Sequence, residues 1–154
     1  IFDGWISTGR LRYDVAIATF SPTFYRGTDN ISDLNIGEVT GYMGIRAITN
    51  DSSRLQKATV TGYPYDKANG EMWASGKCVF QVGYEPVIVY HNCDSVRGND
   101  GSALADINRA RLYGVNVADV PVGQGYPDQA YTNLGVIIHE SNIDLIESAA
   151  GLKK

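Results

Sequence analysis

The sequence is poor in histidine, cysteine and methionine, and it contains no apolar run long enough to cross a membrane. Only two residues of each of these three types occur among 154. A membrane-spanning helix needs about 18 or more consecutive apolar residues, so we expect no membrane association. The sequence has no CxxC pair and no Cys/His cluster. It therefore lacks a zinc ligand set, and we expect neither a metal nor another cofactor.

Basic charge is also scarce. Lys and Arg number 13 against 17 Asp and Glu, which gives a formal net charge of −4. No run of basic residues is present, so the composition argues against a nucleic-acid partner. The first residues, IFDGWISTGR, lack the charged and apolar regions of a signal peptide and an initiator methionine. From this we expect that the chain is processed at Ile1.

The residues that are abundant indicate a globular β protein. Hydrophobic residues make up 44% and charged residues 19%, unlike a disordered chain. The 17 glycines and 10 tyrosines favour many short strands joined by tight turns. The length fits one domain, or one half of a two-barrel protein.

Local patterns divide the chain into strands followed by one C-terminal helix. Apolar runs and alternation predict strands over 13–20, 58–63, 76–82, 86–90, 103–105, 111–117 and 134–138, with a hairpin across 83–85. Polar or Gly/Pro-rich stretches predict loops over 21–32 and 119–129 and a tight turn over 97–102. Ser141 is the predicted cap of a helix that runs to Ala150 and ends at Gly151. This order predicts a β-barrel or a β-sandwich.

The two cysteines, Cys78 and Cys93, leave two interpretations open. A bridge between them would close a loop of about 15 residues and stabilise the fold by roughly 3 kcal/mol. Two buried free thiols are equally compatible with the spacing. His91 lies two residues before Cys93, but these three residues form an incomplete zinc set.

Several motifs in order resemble the glutamyl endopeptidases, a branch of the chymotrypsin/trypsin-like serine proteases. YDVAIATFSP is similar to the family's strand that carries the triad aspartate, and GNDGSA is similar to its nucleophile turn, GNSGSP. The other matching segments are IGEV (36–39), TVTGYPYDK (59–67), MWASGK (72–77), LYGVNV (112–117), TNLGVII and SNIDLIES. Each motif alone is weak, but together they cover most of the chain at compatible spacing.

The resemblance implies an all-β, trypsin-like double β-barrel with a C-terminal helix. Residues 1–40 would be the last part of the N-terminal barrel and the interdomain segment, and residues 41–154 the C-terminal barrel and helix. The catalytic histidine would lie upstream of Ile1, which leaves His91 and His139 as surface or packing residues. Because half a barrel exposes strand edges, a second chain, generated by a proteolytic nick, is expected to complete it. Some relatives bridge the Cys78 position, which implies a Cys78–Cys93 disulfide and a secreted protein.

The resemblance also assigns roles at the catalytic site. Asp14 stands at the triad-acid position, Gly98 at an oxyanion-hole position and Asp100 at the nucleophile position. A carboxylate there is a poor acyl acceptor, and its charge repels the oxyanion that develops in the transition state. Peptide hydrolysis should therefore be lost. Ser102 as a substitute nucleophile, and proton sharing between Asp14 and Asp100, are the two weaker alternatives.

The specificity-pocket positions depart from the family as well. Asp94 and Ser95 stand where trypsin-like enzymes use an acid to select basic side chains, and Asn116 replaces the histidine of the GIH strand. Such a pocket would not favour Glu. It would accept Arg or Lys, unless Asp94 only satisfies local backbone donors. Two sequons, at Asn30 and Asn50, are candidate glycosylation sites.

These features lead to one main functional hypothesis. The chain is expected to be an inactive serine-protease homologue, a secreted pseudoprotease that serves as a binding or assembly subunit for a peptide or protein ligand. One alternative is an active trypsin-like hydrolase whose histidine comes from the partner chain. Another is a non-enzymatic ligand-binding or structural protein that uses the 119–129 loop.

Overall fold

A computed structural model describes residues 3–18, 41–49, 56–83, 85–119 and 133–151 of the chain. The described part contains two short α-helices, two 3-10 helices and eight strands. In chain order they are α1 (Asp3–Thr8), a 3-10 helix (Leu11–Tyr13), β1 (Gly44–Ile45), β2 (Gln56–Gly62), β3 (Trp73–Ala74), β4 (Cys78–Val82), β5 (Ile88–His91), β6 (Ala103–Asp106), a 3-10 helix (Ile107–Arg109), β7 (Arg111–Asp119), β8 (Asn133–Ile137) and α2 (Ile143–Ala149).

Six antiparallel strands close into a barrel. Their order is β7-β6-β2-β4-β5-β8, and β8 pairs with β7 to complete the ring. Two further strands extend the sheet, because β1 pairs parallel with β7 and β3 pairs antiparallel with β2. The predicted all-β barrel with a C-terminal helix is therefore confirmed. The predicted hairpin is confirmed too, since β4 and β5 are antiparallel and Gly83 N–H donates to Ile88 O at 2.7 Å.

The alternating residues of β2 explain how the barrel fills its interior. Ala58 and Val60 are 3% and 2% exposed and belong to the main core cluster, while Lys57, on the opposite face of the strand, is exposed. Phe80 from β4 and Tyr113 from β7 meet in the same core with ring centroids 5.5 Å apart. β2 therefore buries one face, which is why its period-two pattern predicted a strand from the sequence.

A glycine allows β7 and β8 to approach closely where the barrel closes. A Cβ atom on Gly114 would lie 2.1 Å from the carbonyl oxygen of Val136. Every residue of β8 is buried, because β8 lies between β5 and β7 and is also covered from outside. Val15 from the N-terminal segment is one of the residues that pack on Val117, Leu134 and Val136.

The strand predicted over 13–20 is not formed in the described part of that range. Residue Tyr13 ends a 3-10 helix, and residues 14–18 belong to no strand. The apolar residues of this run have a different use. Val15 and Ile17 lie against β7, β8 and α2 around an apolar cavity of about 180 Å³, so their burial comes from side-chain packing rather than from a β-ladder.

The predicted cap of the C-terminal helix also needs correction. Asn142, not Ser141, is the N-cap residue of α2, and its side chain makes no capping hydrogen bond. Ser141 is occupied elsewhere, because its Oγ lies 2.8 Å from His139 Nδ1. Gly151 follows the helix with φ of +69°, as predicted for the residue after a helix end. No helix in the described residues has the length and apolarity needed to cross a membrane.

Several sequence-based expectations fall outside the described residues. These are the loop over 21–32, the family segment at 36–39, the sequons at Asn30 and Asn50, and the loop after Asp119. The assignment of residues 1–40 and 41–154 to two barrels stays a prediction.

Candidate functional site

The turn that carries Asp100 is held by hydrogen bonds from three of its backbone N–H groups. Asn99 N donates to Val96 O at 3.1 Å, and Ser102 N donates to Asn99 O at 3.0 Å. Gly101 N donates to Asn116 O at 2.7 Å, which ties the turn to β7. The turn is therefore fixed at its two ends and is not a free loop.

The N–H groups of Gly98 and Asp100 differ from those of their neighbours. Within the part of the chain that the structure describes, neither group donates a hydrogen bond. Gly98 is in the left-handed region with φ of +98°, a conformation that turns successive N–H groups toward a shared concave surface. Two unpaired donors in one tight turn can hold a carbonyl oxygen or another anionic group.

Gly98 is also the residue that lets this turn meet the segment after β2. A Cβ atom there would lie 2.9 Å from Tyr63 O and 3.1 Å from Tyr65 N. The neighbouring Arg97 carbonyl accepts a hydrogen bond from Tyr65 N at 2.8 Å. The close approach and the positive φ both require glycine at this position.

Asp14 and Asp100 influence each other electrostatically, although 86 positions separate them in sequence. Partial burial, and secondly the negative charge of Asp100, raise the pKa of Asp14 above its ordinary value of 3.8. Asp14 is half-buried and Asp100 is exposed. The structure thus brings together the residues at the predicted triad-acid and nucleophile positions, and both are carboxylates.

Ser102 faces the barrel interior. It is 9% exposed, and a Cβ atom on Gly62 would lie 1.9 Å from its Oγ. The hydroxyl therefore packs directly against the backbone of β2. It is on the barrel side of the turn, away from the exposed carboxylate of Asp100.

The disulfide and the residues after it form a second part of the site. Cys78 and Cys93 are bridged, as the family resemblance implied. Asp94, next to Cys93, is exposed and lines a small cavity of about 50 Å³ with Trp73 and Asn99. Asp94 therefore lies beside the Asp100 turn. Ser95 has a buried Oγ that has no hydrogen-bond partner.

Asn116 is deep inside the barrel and not among the residues that line this cavity. Its side chain is 0% exposed, and its Nδ2 donates to Asn99 O at 3.1 Å. Its Oδ1 lies 2.9 Å from Nε2 of His91, which is also fully buried. Since the amide oxygen can only accept, His91 Nε2 carries the hydrogen. Both hydrogen-bonding groups of Asn116 are thus used inside the protein.

The two histidines are packing residues, and neither is on the surface. Burial lowers the pKa of His91 from 6.5 to about 4, although the hydrogen bond that Nε2 donates to Asn116 and, secondly, the backbone at Leu134 act in the opposite direction. His139 is 2% exposed, and its backbone N donates to Asn142 Oδ1 at 2.7 Å. What the sequence analysis missed is that His91 supports the site through its contact with Asn116. The only signal in the sequence was its position two residues before Cys93.

No metal centre is formed by the residues that the structure describes, because no three His, Cys, Asp or Glu side chains cluster suitably. The groups brought together at the site are the carboxylates of Asp14 and Asp100 and the N–H groups of Gly98 and Asp100, which donate no hydrogen bond within the described residues.

Comparison with known proteins supports the fold of this site. No protein-family model matches the chain, and no curated protein matches it. Among solved structures, a Glu endopeptidase in complex with MPD is similar, with a TM-score of 0.70 and 26% sequence identity. The match covers 98% of this chain and 61% of that one. The chain thus has a trypsin-like protease fold and is a protease-related domain that spans about three fifths of this neighbour.

Proposed function

We propose that this chain is a catalytically inactive serine-protease homologue that binds a peptide or protein ligand and assembles with a separate N-terminal chain. The observation that carries the proposal is the residue at position 100. An exposed carboxylate occupies the turn in which the N–H groups of Gly98 and Asp100 donate no hydrogen bond to any described residue.

The chemistry of a carboxylate at this position argues against peptide hydrolysis. Attack by Asp100 on a peptide carbonyl would form a mixed anhydride instead of an ester. The negative charge of Asp100 would also lie beside the oxyanion that develops at the carbonyl, which opposes the stabilisation that the free N–H groups give. Loss of a triad residue in such enzymes lowers the rate by several powers of ten.

The two alternative mechanisms, with Ser102 as the nucleophile or with Asp14 and Asp100 as an acid–base pair, have weaker support. The Ser102 hydroxyl is packed against Gly62 inside the barrel, where a substrate carbonyl does not fit. Asp14 is a weaker acid than an ordinary Asp because of its burial and Asp100. That pair still lacks a positioned base between the two carboxyl groups in the described residues.

Binding without turnover would use the groups that remain. The unpaired N–H groups of Gly98 and Asp100 suit a peptide carbonyl oxygen, and Asp94 at the neighbouring cavity suits a Lys or Arg side chain. Asn116 is unsuited to binding a substrate Glu, because its amide is already shared between His91 and Asn99.

The proposed partner chain has support in the segment after Tyr13. Residues 16–18 make no backbone hydrogen bond within the described part of the chain, although Val15 and Ile17 line an apolar cavity beside β7 and α2. A strand from the partner chain could pair with the backbone of residues 16–18 and place apolar side chains in the cavity. The disulfide fits the proposed secreted location.

The catalytic part of the proposal is tested with a fluorophosphonate, which labels activated serine nucleophiles. The protein is used as isolated, with any chain that co-purifies. We expect no labelling and no hydrolysis of Lys- or Arg-containing peptides, but measurable binding of those peptides. Asp94→Asn should weaken that binding, and Glu140→Gln, at an exposed carboxylate near α2, should not. Hydrolysis that disappears in Asp14→Ala would overturn the proposal.

The partner is tested by the intact mass of the native preparation, denatured but not reduced. A second chain with a protease-like sequence supports the assembly. This chain found alone, folded and monomeric, contradicts it.

A further inference from the structure

A second candidate site lies at the junction of β2, β6 and β7. It is an open groove of about 500 Å³ that contains three cationic side chains, those of Lys57, Lys77 and Arg109, and one acidic side chain, that of Asp106. A surplus of positive charge at one place is unusual on this chain, whose formal net charge is −4.

The cations of this groove are available for a ligand. Neither Lys57 nor Lys77 takes part in an ion pair or side-chain hydrogen bond within the described part of the chain. Arg109 forms only a long contact with Asp106, at 3.7 Å between Nε and Oδ2, and its side chain is 67% exposed. Most of its guanidinium donors are therefore free.

The groove also offers a neutral hydrogen-bond donor. Tyr113 lines the groove although the residue is only 2% exposed, and its ring packs on Phe80 in the core. Its hydroxyl makes no hydrogen bond with any residue that the structure describes. Because Tyr113 lines the groove, this hydroxyl can donate a hydrogen bond to an acceptor oxygen bound there.

We propose that this groove binds a phosphate group, either free or as a phosphate monoester. The surplus of two positive charges matches a group that carries about −1.5 to −2 charge and three strong acceptor oxygens near pH 7. Ammonium, guanidinium and phenol donors from separate elements suit a tetrahedral anion. Ile107, which is 51% exposed and lines the groove, offers apolar contact to the organic part of a monoester. The proposal is independent of the inactive-protease proposal.

The test is a titration of the intact protein with inorganic phosphate and with phenyl phosphate, followed by backbone amide NMR at low ionic strength. We expect saturable shifts at residues 57 and 107–109. Lys57→Gln with Lys77→Gln should weaken binding about tenfold or more, since two charge-assisted contacts are lost. Tyr113→Phe keeps the ring and should weaken binding severalfold. Lys67→Gln is the matched control, because Lys67 pairs with Asp66 elsewhere on the surface, and it should leave binding unchanged.

The outcomes distinguish a phosphate monoester from free phosphate as the ligand, and both from a groove that binds neither. Tighter binding of phenyl phosphate identifies a monoester ligand, and equal or tighter binding of inorganic phosphate identifies the free ion. Either result supports the groove. Absence of saturation up to about 10 mM of both probes, or equal weakening by Lys67→Gln, overturns the proposal.

Discussion

His91 Nε2 lies 2.9 Å from Oδ1 of Asn116, and through this contact a fully buried imidazole supports the turn that carries Asp100. Asn116 transmits the support, because its Nδ2 donates to the carbonyl of Asn99 and its backbone carbonyl accepts from Gly101. The position that the resemblance assigns to substrate recognition is thus occupied by a structural amide.

The first prediction is that the free energy of unfolding decreases as the pH falls below 6.5, because His91 is protonated in the unfolded chain before it is protonated in the folded one. The pKa of His91 is about 4 in the folded protein and 6.5 in the unfolded chain. Between these two pH values the unfolded state therefore binds more protons than the folded state. The stabilisation is complete above about pH 6.5 and declines as the pH falls toward 4, by about 3 kcal/mol in total. Urea unfolding across this range measures it.

His91→Gln is the matched variant for this prediction, because Gln can still donate to Asn116 and cannot be protonated. Its stability should depend less steeply on pH between 4 and 6.5 than that of the unchanged protein, while carboxylate effects are common to both. Identical slopes would show that His91 does not control the acid response.

A second prediction concerns the two glycines of the Asp100 turn. Gly98 and Gly101 have φ of +98° and +83°, so alanine is strained at both. A Cβ on Gly98 also collides with the backbone at Tyr63 and Tyr65, whereas one on Gly101 meets nothing within 4 Å. Gly101→Ala should cost about 1 kcal/mol and Gly98→Ala about 2 to 4 kcal/mol. Chemical unfolding of both variants measures the difference, and equal costs would contradict the close approach.

The sequence predicted strands well wherever one face of the strand is buried. The alternation around Ala58 and Val60 is an example, since a shift by one residue would expose the core face. The strand prediction failed over 13–18, the described part of its range, because Val15 and Ile17 are as apolar as barrel residues but pack from outside on β7 and β8. Period and hydrophobicity alone do not distinguish these two situations.

The candidate site was predictable where its residues are close in sequence or match a family motif. The glycines around Asp100 indicated a tight turn, and the resemblance placed Asp14 and Cys78. The His91–Asn116 contact joins residues 25 positions apart and depends on how β5, β8 and β7 are aligned. No local pattern contains that alignment, and the pairing of His91 on β5 with Asn116 on β7 is therefore visible only in the folded barrel.

The third prediction is that the disulfide contributes to stability mainly through the loop that it closes. Cys78 and Cys93 are separated by 15 positions, for which chain entropy predicts about 3 kcal/mol. Unfolding by guanidinium with and without reductant measures this contribution. The double variant Cys78→Ala with Cys93→Ala is the control, since its stability should not respond to the reductant. A response in the control would assign the effect to something other than the bridge.

The fourth prediction isolates the electrostatic link between the two candidate active-site carboxylates. Burial and the charge of Asp100 both raise the pKa of Asp14, so Asp14 is more stable in its protonated form than an ordinary Asp. Its contribution to stability is complete below about pH 3.8 and is lost as the pH rises through its folded pKa. Asp100→Asn removes the charge and leaves the burial. The pKa of Asp14, followed by carboxyl carbon NMR, should fall in this variant but stay above 3.8.

Asp94→Asn is the matched control for that titration, because it removes another carboxylate next to the same turn. Asp94 is not among the causes of the Asp14 shift, so this variant should leave the pKa of Asp14 unchanged. A fall of similar size in both variants would mean that Asp14 responds to the general negative charge around the turn. If the pKa of Asp14 falls only in Asp100→Asn, the two carboxylates share one local environment. The proposed descent of this site from a catalytic triad predicts that result.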